Sequence, residues 1–265
     1  MNTNKWGPSG WNQLGPVAYK YDIIRKRIDD QHSTTYCLLH KVHLSNTETQ
    51  LPCKYCRESY RVYIGELPMD RPLCTGQLNE WMYNIHNKVN DKLRKQGYNT
   101  KPDPTQEEVN KELQVKGKDY YLATGWDYIH CIGHNYAEQP DGLSMVKAKI
   151  HFSTLPYMLP HPLLTRTMLE FMKKYPIDDT LDDRVNLVLY LYLLHQYMLP
   201  VYQSLQPGRV FPSRTYPETC AYYETFRAGC GLSAGKKGPS CRLPVSTSER
   251  TKNLQKLLLG EMPSP

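Results

Sequence analysis

Cys53 and Cys56 stand three residues apart in the stretch LPCKYCRESYRVYI, residues 51–64. A pair at that spacing can be half of a zinc site, a redox-active dithiol, or two unrelated buried thiols. A structural zinc needs four ligands, and no second CxxC or histidine pair follows within a short module. The next dense group, HCIGH at 130–134, lies far along the chain, and His130, Cys131 and His134 read as packed or exposed residues, not ligands. Two unconnected thiols are the plain alternative, but the position of the pair argues for chemistry. Pro52 precedes it and the polar run Arg57, Glu58, Ser59 follows, which sets both cysteines in the first turn of a helix. There the free backbone N–H groups and the positive end of the dipole favour a thiolate. The same spacing brings the two sulfurs within bonding reach, so the pair can cycle between dithiol and disulfide. A thioredoxin-like domain would set its CxxC after a strand, with a tryptophan just before it; here helical patterns flank the pair on both sides.

The elements that must hold this pair are legible from hydrophobic period. Leu14, Val17, Ala18, Tyr21, Ile24 and Ile28 recur at three and four residues and predict a helix from Trp11 to Ile28. A second helix carries Tyr36, Leu39 and Val42 and ends near SNTETQLP; a third starts at the CxxC and holds Tyr60, Tyr63 and Ile64. Residues 78–95 contain no Gly or Pro, and Leu78, Trp81, Ile85, Val89 and Leu93 form the stripe of a fourth. The first hundred residues thus read as an all-helical bundle. QGYNTKPDPTQEE then reads as a linker, which divides the chain into 1–100 and 101–265. In the second part VNLVLYLYLLHQYMLP, apolar almost all round, predicts the central helix of a core, and RTMLEFMKKYP a shorter helix ended by Pro176. VKAKIHFSTL reads as a possible strand, so this part is expected to be mostly helical or α+β.

The net charge of +7 over 265 residues is mildly basic, with acids spread among the lysines, and announces no nucleic-acid surface. The densest basic segment, RAGCGLSAGKKGPSCRLPVSTSERTK at 227–252, is rich in Gly, Ser and Pro and reads as a mobile tail. No apolar run reaches the roughly 18 residues of a membrane span, and the N-terminus lacks the order of a signal peptide, so a cytosolic or packaged protein is expected. In that setting the eight cysteines are expected to be reduced. Cys37, Cys74 and Cys131 are read as buried thiols, while Cys220, Cys230 and Cys241, in or beside the basic tail, could supply a shuttle or fastening disulfide.

Three blocks in order, WGPSGWNQL at 6–14, CKYCRESY at 53–60 and WMYNIHNKVNDKLRK at 81–95, together resemble the Erv/ALR family of FAD-linked sulfhydryl oxidases. These are small helical domains that oxidise protein thiols and pass the electrons to oxygen, giving hydrogen peroxide. The resemblance covers residues 6 to about 98, and a domain of this kind followed by a large unrelated part is similar to the family's two-domain giant-virus form. It implies an Erv-type bundle binding FAD, with Cys56 facing the flavin and Cys53, the more exposed sulfur, exchanging with incoming thiols. It further implies that the loop and helix start Gly7, Pro8, Ser9 and Gly10, with Trp11 and Leu14, line one side of the cofactor, and that Tyr60 also binds it. His86, Asn87, Val89, Asn90, Leu93 and Lys95 would line the other. His86, Asn90 and Leu93 fall at i, i+4 and i+7 on one helix face, offering a ring, an amide and an apolar wall to a flat ligand, and Lys95 can meet a phosphate. A homodimer, a thiol-bearing protein substrate or thioredoxin-like carrier, and a host cytoplasm, viral factory or virion location are implied as well. Two departures stand out: Gly15 and Pro16 follow Leu14 where the family has a histidine, and Tyr83 and the region of Asn99 lack the family's disulfide cysteines. The rival reading is a thiol-exchange protein, or one that binds a partner or nucleic acid, without flavin.

Overall fold

The computed structural model describes residues 3–98, 101–114, 125–211, 213–227 and 249–258, and among them every regular element is helical. The bundle begins with α1 (Thr3–Arg25), α2 (Asp30–Gln50) and α3 (Lys54–Glu66), followed by the short α4 (Asp70–Thr75) and then α5 (Leu78–Lys95). α2 starts where the Asp29 carboxylate accepts the N–H of His32 at 2.9 Å. α4 stops at Gly76, whose φ of 67° is open to glycine at little cost. α5 begins without a cap of its own, and α1 supplies one. The Asp22 carboxylate accepts the N–H groups of Leu78 and Asn79 at 2.7 and 3.0 Å.

α1 starts earlier than its hydrophobic stripe suggests. Gly7, Pro8, Ser9 and Gly10, read as a loop and helix start, are wholly helical, and α1 runs through both Pro8 and Pro16. The reason lies outside α1. Trp6, Ser9, Gly10 and Leu14 are buried, and the turn at 9–10 is pinned by a helix from the second half of the chain. The Ser9 hydroxyl accepts the N–H of Tyr128 at 3.0 Å, and a Cβ on Gly10 would stand 3.4 Å from the Tyr128 ring.

A helical run over 106–114 (α6) leads to α7 (Trp126–Asn135), α8 (Gly142–Met158), α9 (Pro162–Lys174), a 3₁₀ turn (Ile177–Thr180), α10 (Arg184–Leu205), α11 (Tyr216–Glu224) and α12 (Glu249–Leu258). α10 is the predicted central helix: every residue from Arg184 to Leu194 is buried, with α7, α9, α11 and α12 packed around it. The segment read as a strand is α8. Asp141 caps it through the N–H of Ser144, and Ala148, His151, Phe152 and Leu155, spaced for a helix face, are buried along it. Its alternating apolar and basic residues misled because Val146 and Ile150 are surface residues.

The two segments of the chain meet along α2 with α8 and α1 with α7. His43 Nδ1 lies 2.8 Å from Thr154 Oγ1, and its ring stacks on His151 at 4.5 Å. Asn46 donates to the Lys147 carbonyl at 2.6 Å. The stretch after α5 that composition marks as a linker folds back onto that helix. Asp103 takes the Asn90 amide and both arms of Arg94, and the Tyr83 hydroxyl donates to the Pro104 carbonyl.

Candidate functional site

α2 ends at Leu51, and the buried Leu51 and Pro52 turn the chain inward before α3 begins. Cys53 is the residue at which α3 starts, in extended backbone, its carbonyl accepting the N–H groups of Cys56 and Arg57 at 3.1 and 3.0 Å. Cys56 therefore lies one turn into the helix, where the sequence placed it. The hydrogen bond from the Cys56 thiol, helped by the amide N–H groups of Cys56 and Tyr55, draws the Cys53 thiol down to about 5. Those amides act by proximity, since the side chain makes no formal cap bond. Cys56 moves the other way: donating to Cys53 and losing water push it above the usual thiol range, against the pull of the Lys92 ammonium. The reduced pair holds one proton between two sulfurs, with the negative charge on Cys53.

Taken as whole residues, Cys53 is buried, at 7% exposure, and Cys56 is half-buried. This reverses the expectation that Cys53 would be the more exposed. The Leu51–Pro52 turn carries Cys53 into the core, while Cys56 follows on the α3 surface that faces α5. Arg57 fastens the turn by donating to the Leu51 carbonyl at 2.6 Å.

α5 is clamped along α3 from its first turns to its last residue. Lys92 donates to Ser59 Oγ at 2.6 Å and to the Tyr55 carbonyl at 3.5 Å, and Lys88 pairs with Glu66 at 2.7 Å. Two turns before Lys92, His86 stacks on Trp11 of α1, with ring centres 4.0 Å apart and planes 18° from parallel. Burial holds the His86 ring below its ordinary range, against the opposing field of Asp103, so it is neutral at neutral pH.

α5 thus packs on α1 through the Trp11–His86 stack and on α3, which carries the thiol pair, through Lys92, and Asn87, Val89, Asn90 and Leu93 are half-buried on the same helix. Other predicted residues are engaged elsewhere. Ser9 and Gly10 seat α7, Leu14 is in the core, and the Tyr60 hydroxyl donates to the Leu44 carbonyl at 3.0 Å. Gly7 is half-buried with open space at its Cα, and Pro8 is exposed. Lys95 is exposed and paired with Asp91 at 3.0 Å. Asn90 spends one amide bond on Asp103.

Lys92 is the residue that sequence reasoning missed. The available signal was its spacing of four from Lys88, which puts two cations on one stripe of α5. Cys74 is exposed, against its reading as a buried thiol, because its neighbour Leu73 takes the inward face of α4. Cys131 and Cys220 are buried, and Cys37 is half-buried beside the Tyr21 hydroxyl at 2.8 Å; Cys230 and Cys241 lie outside the described residues. His130, Cys131 and His134 are packed in α7, and no group of three possible ligands among the described residues could hold a metal. No described helix is long and apolar enough to cross a membrane.

No curated protein and no solved structure matches the chain. Residues 9–114, which carry Trp11, the thiol pair and His86, match the Erv1 / Alr family, so this segment of the chain is similar to that family.

Proposed function

We propose that the chain is an FAD-dependent thiol oxidase that makes disulfides in protein substrates through Cys53 and Cys56, with oxygen as the final acceptor. One observation carries the reading. A dithiol with its charge stabilised at a helix start faces, across Lys92, the helix that bears His86 stacked on Trp11.

The residues present fit FAD. Trp11 and a neutral His86 offer flat faces, and Asn87 and Asn90 offer amides. At 4.0 Å the two rings leave no gap for a third between them, so the pair acts as one platform. Bound FAD would supply the two-electron sink for the dithiol and the outlet to oxygen as hydrogen peroxide.

The protein's own part is thiol chemistry and charge. A substrate thiolate attacks Cys53 of the Cys53–Cys56 disulfide, the S–S bond breaks, and Cys56 leaves as a thiolate beside the Lys92 ammonium. A second substrate thiol gives its proton to the Cys56 thiolate and, as a thiolate, attacks the substrate sulfur of the mixed disulfide. Cys53 leaves as a thiolate stabilised by the Cys56 thiol and the amides of Cys56 and Tyr55. The substrate has lost two electrons, and the pair has gained them. Because Cys53 is buried, the Leu51–Pro52 turn yields to admit the substrate.

Purified protein is expected to be yellow and to consume oxygen with dithiothreitol. Cys56→Ser is expected to keep the colour and lose the oxygen uptake. Protein that is colourless and takes up no added FAD overturns the proposal, as does undiminished uptake by Cys56→Ser. A homodimer, acting on a thiol-bearing protein or thioredoxin-like carrier, completes the reading; sedimentation tests the dimer.

A further inference from the structure

Away from the thiols, α1, α2, α8 and α9 enclose a cleft of about 530 Å³, a size typical of small-molecule sites. Its walls are mainly apolar, built from Ile24, Leu39, Tyr157, Leu159 and Leu169. One cation stands among them. Lys20 donates a single hydrogen bond, to the Leu159 carbonyl at 3.1 Å, and has no carboxylate partner among the described residues. An ammonium has three donors, and burial here pushes it down to about 8, the mark of a charge short of compensation. Arg166 and Lys173 stand at the edge of the same cleft with a single acid, Glu170, which lies 3.8 Å from Arg166.

A neutral apolar molecule would bury Lys20 further with nothing to answer its charge, and a cationic one would meet like charges. A long apolar chain with one acidic head answers both the walls and the lysine. We propose that this cleft binds an apolar carboxylate, its head group on Lys20 and its chain along the walls formed by Ile24, Leu39, Tyr157 and Leu169. The site is separate from the thiol pair and does not depend on the flavin reading.

The test is calorimetric titration of the full chain with dodecanoate, and in parallel with dodecanol and dodecyltrimethylammonium, all below their micelle concentrations. Dodecanoate is expected to bind saturably, one per chain, and at least about tenfold more tightly than either control. Lys20→Met, which keeps the aliphatic stem, is expected to weaken dodecanoate about tenfold while leaving dodecanol within about twofold; Lys20→Arg is expected to restore most of the loss. Leu169→Glu, at the edge of the cleft, tests the apolar wall independently and is expected to abolish binding with an unchanged circular dichroism spectrum. Equal binding of the three probes, absence of saturable binding, or indifference to Lys20→Met overturns the proposal. So does a dimer that excludes dodecanoate, which would make a second copy the occupant of the cleft.

Discussion

The indole of Trp11 lies against the imidazole of His86 at 4.0 Å, and this contact joins the first helix of the chain to the fifth. It sits on a rigid base. Asp22, further along α1, caps the first turn of α5 through Leu78 and Asn79, so two points fix the angle between the helices.

The stack predicts cofactor content. If Trp11 and His86 hold the flat ring of FAD, Trp11→Ala and His86→Ala each lower the flavin bound per purified chain by about tenfold, the equivalent of about 1.4 kcal/mol of lost stacking. Trp11→Phe retains most of it. The flavin-to-protein absorbance ratio reads the effect, and a ratio unchanged in Trp11→Ala counts against the assignment.

The thiol pair predicts a measurable asymmetry. In the reduced chain Cys53 is the thiolate at neutral pH, because its thiol is held at about 5 chiefly by the Cys56 S–H. Cys56→Ala removes that donor, so Cys53 rises toward the ordinary thiol range of about 8.5 and the ultraviolet thiolate band at neutral pH shrinks. A pH titration of that band in the two proteins checks the sign.

Lys92 and Lys95 separate what the fold selects from what the motif suggests. Lys92→Met is expected to slow dithiothreitol oxidation about tenfold, since the Cys56 thiolate loses the cation beside it. Lys95→Met, whose native partner is the exposed Asp91, is expected to change the rate by less than about twofold. Steady-state oxygen uptake decides, and the reverse order would move the functional cation to Lys95.

Acid is expected to loosen the molecule through its histidines. Burial holds His40 and His134 at about 4, His151 and His195 at about 3, and His43 and His130 well below their ordinary range. All are neutral when folded, whereas unfolded histidines take up protons below about pH 6.5. Stability is therefore fully present above about 6.5 and lost as pH falls toward about 4, by up to about 1.4 kcal/mol per pH unit for each histidine. Scanning calorimetry at pH values between these limits checks it. His151→Phe, which removes one such group from the α2–α8 seam, is expected to flatten the slope.

Close packing between α7 and α10 gives a prediction unrelated to catalysis. A Cβ at Gly133 would lie 2.7 Å from Leu191 Cδ1, and Leu191 is wholly buried. Gly133→Ala is expected to destabilise by about 1–3 kcal/mol, read as a lowered denaturant midpoint.

Period and punctuation along the chain were enough to place α2, α3, α5, α9 and α10, and to set Cys53 and Cys56 at a helix start, because each depends on residues within a few positions of one another. The misread parts depend on distant ones. VKAKIHFSTL is a helix whose His151 and Thr154 pack on His43 of α2, and Gly7–Gly10 is helical where Tyr128, far along the chain, grips Ser9. Cys53 is buried and Lys92 reaches Ser59 and Tyr55 on the thiol-bearing helix, while Lys95 turns to Asp91, for a similar reason. Which face of a helix meets a neighbour is settled only once the helices pack. Local hydrogen bonding and side-chain spacing specify that a helix forms; burial against elements remote in sequence decides where it points and which of its cations stands beside a sulfur.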